Sequence, residues 1–167
     1  MSNPKEIFVE DARIIFRNFE GREGQYNRAG DRSFHVLLGD DMAEEMEKQG
    51  WNIKYLKARE EGDTPTPHVE VVVSYKGRPP HIVMITSRGR NKLGEDEVEV
   101  LDWVDIKTVD LMLNPYEWVV NGKSGTKAYL KSMYVTINED PLELKYGHVM
   151  DDGNVDELPA RAGAVEE

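Results

Sequence analysis

Three stretches of this 167-residue chain interleave aromatic rings with cations. The first holds Arg13, Arg17, Phe19, Tyr26 and Arg28. The second holds Lys54, Tyr55, Lys57 and Arg59, with Arg88, Arg90 and Lys92 further along. The third pairs Tyr116 and Trp118 with Lys127, Tyr129 and Lys131. Aromatic rings stack on unpaired bases while Lys and Arg track phosphates, so this mixture is the chemistry that holds single-stranded nucleic acid. Strand parity puts Lys127, Tyr129 and Lys131 on one face. A tyrosine between two same-face lysines is poor core material, because both ammonium groups must reach water. The plainer alternative packs Tyr116 and Trp118 in the core and leaves the lysines to keep a face soluble. Three such stretches in so acidic a chain tilt the reading toward binding.

Catalytic and metal chemistry find less to work with. His35, His68, His81 and His148 fall on separate stretches, and none stands at a helix-face ligand spacing from another donor. A metal site needs at least three convergent donors, so no metal is expected. Asp40-Asp41, Glu60-Glu61 and Glu95-Asp96-Glu97 could supply general acids or Mg²⁺ ligands. Adjacent carboxylates are more often solvated or cap a helix, and nothing marks a partner for these. Ser87-Arg88-Gly89-Arg90 and Asn121-Gly122-Lys123-Ser124-Gly125 lack the strand–loop–helix setting of a phosphate loop. No nucleophile-elbow pattern occurs. No catalytic residue and no cofactor is expected.

The net charge of −11 bears on this reading through its distribution. Residues 1–147 carry 20 basic and 26 acidic side chains, while residues 148–167 carry only Arg161 against six carboxylates. The last twenty residues thus hold nearly half the excess. Overall charge governs solubility and steering, not which face binds a ligand. Without cysteine there is no disulfide framework, which favours a cytoplasmic protein. No apolar run approaches the ~18 residues that cross a bilayer, and Met1–Glu6 lacks the apolar core of a signal peptide.

The elements that position these residues are mostly strands. Glu6–Phe19 reads as one long strand with Ala12, Ile14 and Phe16 on one face and Arg13 and Arg17 on the other. A glycine-punctuated loop over 20–30 leads to a strand over Arg32–Leu38. Asp41 and Glu44 form a capping-box pattern, predicting a short helix to Gln49 that Gly50 ends. Trp51–Lys57 and His68–Tyr75 read as strands, and Ile82–Thr86 as the antiparallel return of the latter. Ser87–Gly94 reads as a basic loop and Glu95–Val104 as a short helix. Lys107–Val120 and Thr126–Ile137 are long strands joined by Asn121–Gly125. Six or seven strands with one or two short helices predict a mostly β fold, an antiparallel barrel of oligonucleotide-binding (OB) type that leaves few open edges. One domain spans 1–147, and 148–167 is expected to be a disordered acidic tail.

The stretch Ala12-Arg13-Ile14-Ile15-Phe16-Arg17-Asn18-Phe19 resembles the opening of phage single-stranded DNA-binding proteins. The glycine loop, strand and short helix over Tyr26–Gln49 follow in the same order. Tyr116-Glu117-Trp118, Gly122 and Lys127-Ala128-Tyr129-Leu130-Lys131-Ser132 resemble the closing hairpin, especially in actinobacterial phages. The similarity covers about residues 6–146. It implies an OB-type fold that binds single-stranded DNA, with replication or recombination proteins met through an acidic tail. The tail here ends Gly163-Ala164-Val165-Glu166-Glu167, without the family's terminal aromatic.

The expectation is therefore sequence-independent binding of single-stranded DNA in phage replication or recombination, with no membrane partner and room for a homo-oligomer. Arg17, Arg28, Arg88, Arg90, Lys127 and Lys131 would contact phosphates. Phe19, Tyr116, Trp118 and Tyr129 would stack bases, with Arg13, Tyr26 and Lys54 beside them. Two other classes stay open: a module that binds protein through a sheet face or edge, and an enzyme whose carboxylates converge only on folding.

Overall fold

The alternation of apolar and polar residues writes most of the strands. The computed structural model describes residues 5–57, 62 and 64–139. In chain order the elements are β1 (Ile7–Val9), β2 (Arg13–Asn18), β3 (Arg32–Leu37), α1 (Asp40–Lys48), β4 (Ile53–Leu56) and β5 (Thr66–Val73). Then come β6 (His81–Thr86), β7 (Gly89–Leu93), a 3₁₀ turn (Val98–Asp102), β8 (Ile106–Val120) and β9 (Lys123–Ile137). Arg59 and the expected acidic tail, 148–167, lie outside the described residues.

All nine strands join one sheet, ordered β1-β8-β9-β5-β3-β2, with β4 on β5 and the β6–β7 hairpin on β9. The expected antiparallel pairing holds for most ladders but not for all: β9 runs parallel to both β5 and β6. The expected return of β6 onto β5 is corrected with it, since among the described residues β6 pairs only β7 and β9. The Gly77–Pro80 turn sends the chain past the end of β5, and β9 receives it. No ladder joins β1 to β2, so among the described residues the sheet is open.

The expected single strand over Glu6–Phe19 is two strands. Asp11 adopts φ +52°, a left-handed conformation that bends the chain. The bend is tied down where Ala12 N donates to Val109 O at 2.7 Å and Asp11 N to Asp110 Oδ1 at 2.9 Å. β1 then lies on β8 while β2 lies on β3. Between Ile15 and Asn18 the ladder slips by one residue, and Phe16 carries φ +52°. A bulge of one residue inverts parity beyond it.

The core sits on the inner face of this sheet. Phe34 and Val36 of β3 meet Val69, Val71 and Val73 of β5, Ala128 and Leu130 of β9, and Leu111 and Leu113 of β8. Each large apolar side chain so buried contributes about 1.5–3 kcal/mol. The helix closes one end, burying Ala43 and Met46. Its expected capping box is not formed: Gly39 is the N-cap and no side chain caps the turn. Gly50, at φ +93°, ends the helix as expected. Trp51 is a lone bridge to Thr126, so the strand expected to open there begins at Ile53.

Three further stretches depart in detail from expectation. Ser87–Gly94 is not a loop but a tight turn followed by β7. The 95–104 segment forms a 3₁₀ turn, which buries Val98 and Leu101 at the i, i+3 spacing that eclipses in that geometry. The last connection is shorter than Asn121–Gly125. It is a two-residue turn of Asn121 (φ +51°) and Gly122 (φ +77°), whose paired positive angles suit the twist of a long hairpin. No helix among the described residues is long and apolar enough to cross a membrane.

Candidate nucleic-acid interface

The outer face of the sheet carries what the core cannot hold. On β9, Ala128 and Leu130 turn inward, so Lys127 and Tyr129 turn outward. Tyr129 pairs with Val72 of β5 on one side and Asn114 of β8 on the other. Two register positions along, Tyr116 pairs with Lys127, and its ring lies 5.0 Å from that of Tyr129 at 33°. Burial raises the Tyr129 phenol above its ordinary pKa, and Tyr116 adds to the rise.

Trp118 stands on the same face further up the hairpin, opposite Gly125. A Cβ at Gly125 would come within 2.8 Å of the indole, so glycine is what lets the ring lie on the strand. The Trp118 Nε1 atom is enclosed without a hydrogen-bond partner in the described structure.

A groove of about 690 Å³ opens beside these rings. The loop residues Tyr26 and Arg28 form one wall, Tyr75 and Lys76 another, and Lys127 and Tyr129 the side nearest β8. Tyr26 is 93% exposed, a ring that nothing in the core has claimed. Arg32 sets the groove's inner end: it donates to Phe19 O at 2.9 Å, meets Glu95 at 3.1 Å and lies 5.6 Å over the Tyr75 ring. Four cations (Arg28, Arg32, Lys76, Lys127) line the groove against three carboxylates (Asp31, Glu70, Glu95). This patch is cationic on a chain that is acidic overall.

The face continues across β5 to β3 and β2. His35 pairs with Glu70 in register, and its Nδ1 lies 2.8 Å from Nδ1 of His68. Burial, the main cause, lowers His35 to about 4 and lowers His68 as well. Phe16, 60% exposed, sets its ring edge-on to both imidazoles, 5.2 and 6.2 Å away. Lys54 reaches this region from β4, 4.0 Å from Glu70.

The first expected cluster divides accordingly. Tyr26 and Arg28 join Lys127 and Tyr129 in the groove, and Arg13 is exposed at the start of β2. The stacking role expected of Phe19 is corrected: the ring is fully buried and stacked on Phe34 at 5.2 Å. The bulge at Phe16 is the cause, because it turns Phe19 inward and Phe16 outward. Arg17 is engaged elsewhere, donating to Leu101 O at 2.8 Å and Val104 O at 2.9 Å. Asp102 answers by accepting the amides of Phe19 and Glu20 at 2.7 and 2.9 Å. These bonds clip the root of the 20–31 loop to the 3₁₀ turn, so Arg17 positions the groove wall.

The other expected residues lie apart from the groove. Lys131 is held by Glu6 at 2.6 Å, and Arg88 and Arg90 belong to the β6–β7 hairpin at the far end of β9. Tyr55 turns toward α1, its hydroxyl donating to Glu47 at 2.6 Å. Phe16, Arg32, Tyr75 and Lys76 were missed by sequence reasoning. The signal for Phe16 was its partner Phe19: at a spacing of three along a strand the two rings take opposite faces, so burying one exposes the other. Among the described residues no three potential ligands converge on a metal site.

An outward sheet face that couples free rings to cations beside a loop-walled groove has the chemistry that suits single-stranded nucleic acid. A family model described as "Putative phage ssDNA-binding domain" matches residues 1–160, and the chain belongs to that family of single-stranded DNA-binding proteins. The fold is similar to that of the single-stranded DNA-binding protein from bacteriophage Enc34. Its C-terminal truncation superposes with a TM-score of 0.53 at 13% identity, over 82% of this chain and 88% of that one. The same phage protein in complex with ssDNA matches with a TM-score of 0.53 at 12% identity, over 82% and 89%. No sequence among the curated proteins matches this chain.

Proposed function

We propose that the chain binds single-stranded DNA without sequence preference, laying it across the outer face of β3, β5 and β9, in phage replication or recombination. The observation that carries this reading is the groove in which Tyr26 and Arg28 from one loop meet Lys127 and Tyr129 from the last hairpin. A ring stacks on any base and a cation meets any phosphate, so the arrangement favours strand over sequence. The role is binding rather than catalysis, exercised in the host cytoplasm by residues 1–147. Residues 148–167 are the acidic tail, through which other replication or recombination proteins are met.

The pairing pattern supports an OB-like, partly open barrel. β1 and β2 are successive parts of one bent stretch, and the sheet order leads from one to the other through β8, β9, β5 and β3. In that architecture the face of the second and third strands, with the first and last long loops, binds oligonucleotides. Here those are β3 and β5, the 20–31 loop and the Asn121-Gly122 turn, of which β3, β5 and the loop supply residues to the groove's lining. Reversing the charge at Arg28 and Lys127 tests the reading. The double variant Arg28→Glu/Lys127→Glu should bind oligo-dT more weakly and lose about 1.4 from its log–log salt slope, about 0.7 per lost contact. An unchanged slope would place the DNA elsewhere.

A further inference from the structure

Tyr129 and Tyr134 are five residues apart on β9, an odd spacing that in a regular strand sends two side chains to opposite faces. Both face outward. The ladder with β8 slips between Met112 and Leu113, pairing them with Ser132 and Leu130 and leaving Lys131 as an extra residue. The inward series accordingly jumps from Leu130 to Met133. The bulge brings the two tyrosines to one side, about 16 Å apart at ~3.3 Å per residue.

The surroundings of Tyr134 are those of a second contact area. In register it pairs with Val83 of β6, and Val83 pairs with Lys92 of β7. Arg90 follows on the same face, opposite Ile85. The His81 ring lies 5.8 Å from that of Tyr134. Val83 is only 5% exposed although it is not part of the core cluster, so the side chains around it must roof it. Tyr134 remains 36% exposed above it. Among the described residues neither Arg90 nor Lys92 has a carboxylate partner. Asp110, in register with Tyr134, accepts the Asp11 amide, and Glu139 accepts the amide and hydroxyl of Ser87.

We infer that Tyr134, Lys92 and Arg90 form a second single-strand contact area, continuing along β9 the track that begins at Tyr129. The inference rests on the groove reading above and extends it. A strand lying over Tyr129 follows β9 past the bulge, places a later base on Tyr134 and brings its phosphates to Lys92 and Arg90. The β6–β7 hairpin thereby lengthens the footprint beyond what the groove alone covers.

The test compares oligo-dT of about six and about sixteen nucleotides, within the range of footprints that one such domain takes. The variants are Tyr134→Ala and, because it is exposed and leaves the roof of Val83 in place, Lys92→Glu. Both should bind the short oligonucleotide as the unaltered protein does and the long one at least about 5-fold more weakly. Unchanged affinity for the long oligonucleotide overturns the inference, as does equal weakening for both lengths. Tyr129→Ala is the control for the groove. If it too leaves both affinities unchanged, the groove reading itself fails, and the extension with it.

Discussion

The Tyr116 and Tyr129 rings lie 5.0 Å apart across the last hairpin, on the side of the sheet away from the core. Neither ring is needed to fill the interior, where Ala128 and Leu130 already face Leu113 and Val71. Tyr129→Ala should therefore cost about 1–3 kcal/mol of oligo-dT affinity, the value of one stacked base. Its melting temperature should move little. A large drop in melting temperature with unchanged affinity would make Tyr129 a packing residue.

Phe19 gives the opposite expectation. Its ring is buried and stacked on Phe34, so Phe19→Ala should destabilise the fold by about 3–5 kcal/mol. Denaturant unfolding measures this directly. A variant of nearly unaltered stability that loses DNA affinity would restore Phe19 to the interface.

Arg17 separates a positioning role from a phosphate contact. Its guanidinium bonds two carbonyls of the 3₁₀ segment, so Arg17→Ala leaves both without that donor and should cost about 1–3 kcal/mol of stability. The salt slope of DNA binding should keep its value, since no released counterion depends on Arg17. A slope reduced by about 0.7 with stability intact would show that it meets a phosphate.

The His35–His68 contact predicts a pH dependence. Burial, opposed by Glu70 and assisted by His68 and Lys54, lowers His35 from its ordinary 6.5 to about 4. Between those values the unfolded chain holds the proton and the folded chain does not. The contribution is complete above about pH 6.5 and is lost as pH falls toward 4, with a slope of at most about 1.4 kcal/mol per pH unit. Urea midpoints at about pH 7 and pH 5 should converge in His35→Gln relative to the unaltered protein. Identical pH slopes in the two proteins would show that His35 takes up its proton equally in both states.

The strands of this fold were legible wherever alternation ran undisturbed. Val69, Val71 and Val73 mark β5 plainly, and Lys127 and Tyr129 share the outward face that their parity predicts. Legibility ended at two single-residue bulges. One, at Phe16, exchanges the roles of Phe16 and Phe19; the other, at Lys131, brings Tyr134 onto the face of Tyr129. A bulge leaves no compositional trace in such a strand, because its cause is the twist and curvature of the whole sheet. The parallel pairings of β9 with β5 and β6 were hidden for a similar reason. They link segments far apart in sequence, while hairpin reasoning reaches only neighbours.

The central claim is that this face takes unpaired bases. A fluorescence titration should follow Trp118, which lies on the face, as oligo-dT or a duplex of equal length is added across a range of salt. Stacking needs free bases, so the single strand should bind much more tightly than the duplex. With about four to six phosphate contacts its log–log salt slope should be about −3 to −4. Equal affinities for the two forms, or a slope near zero, would contradict the account.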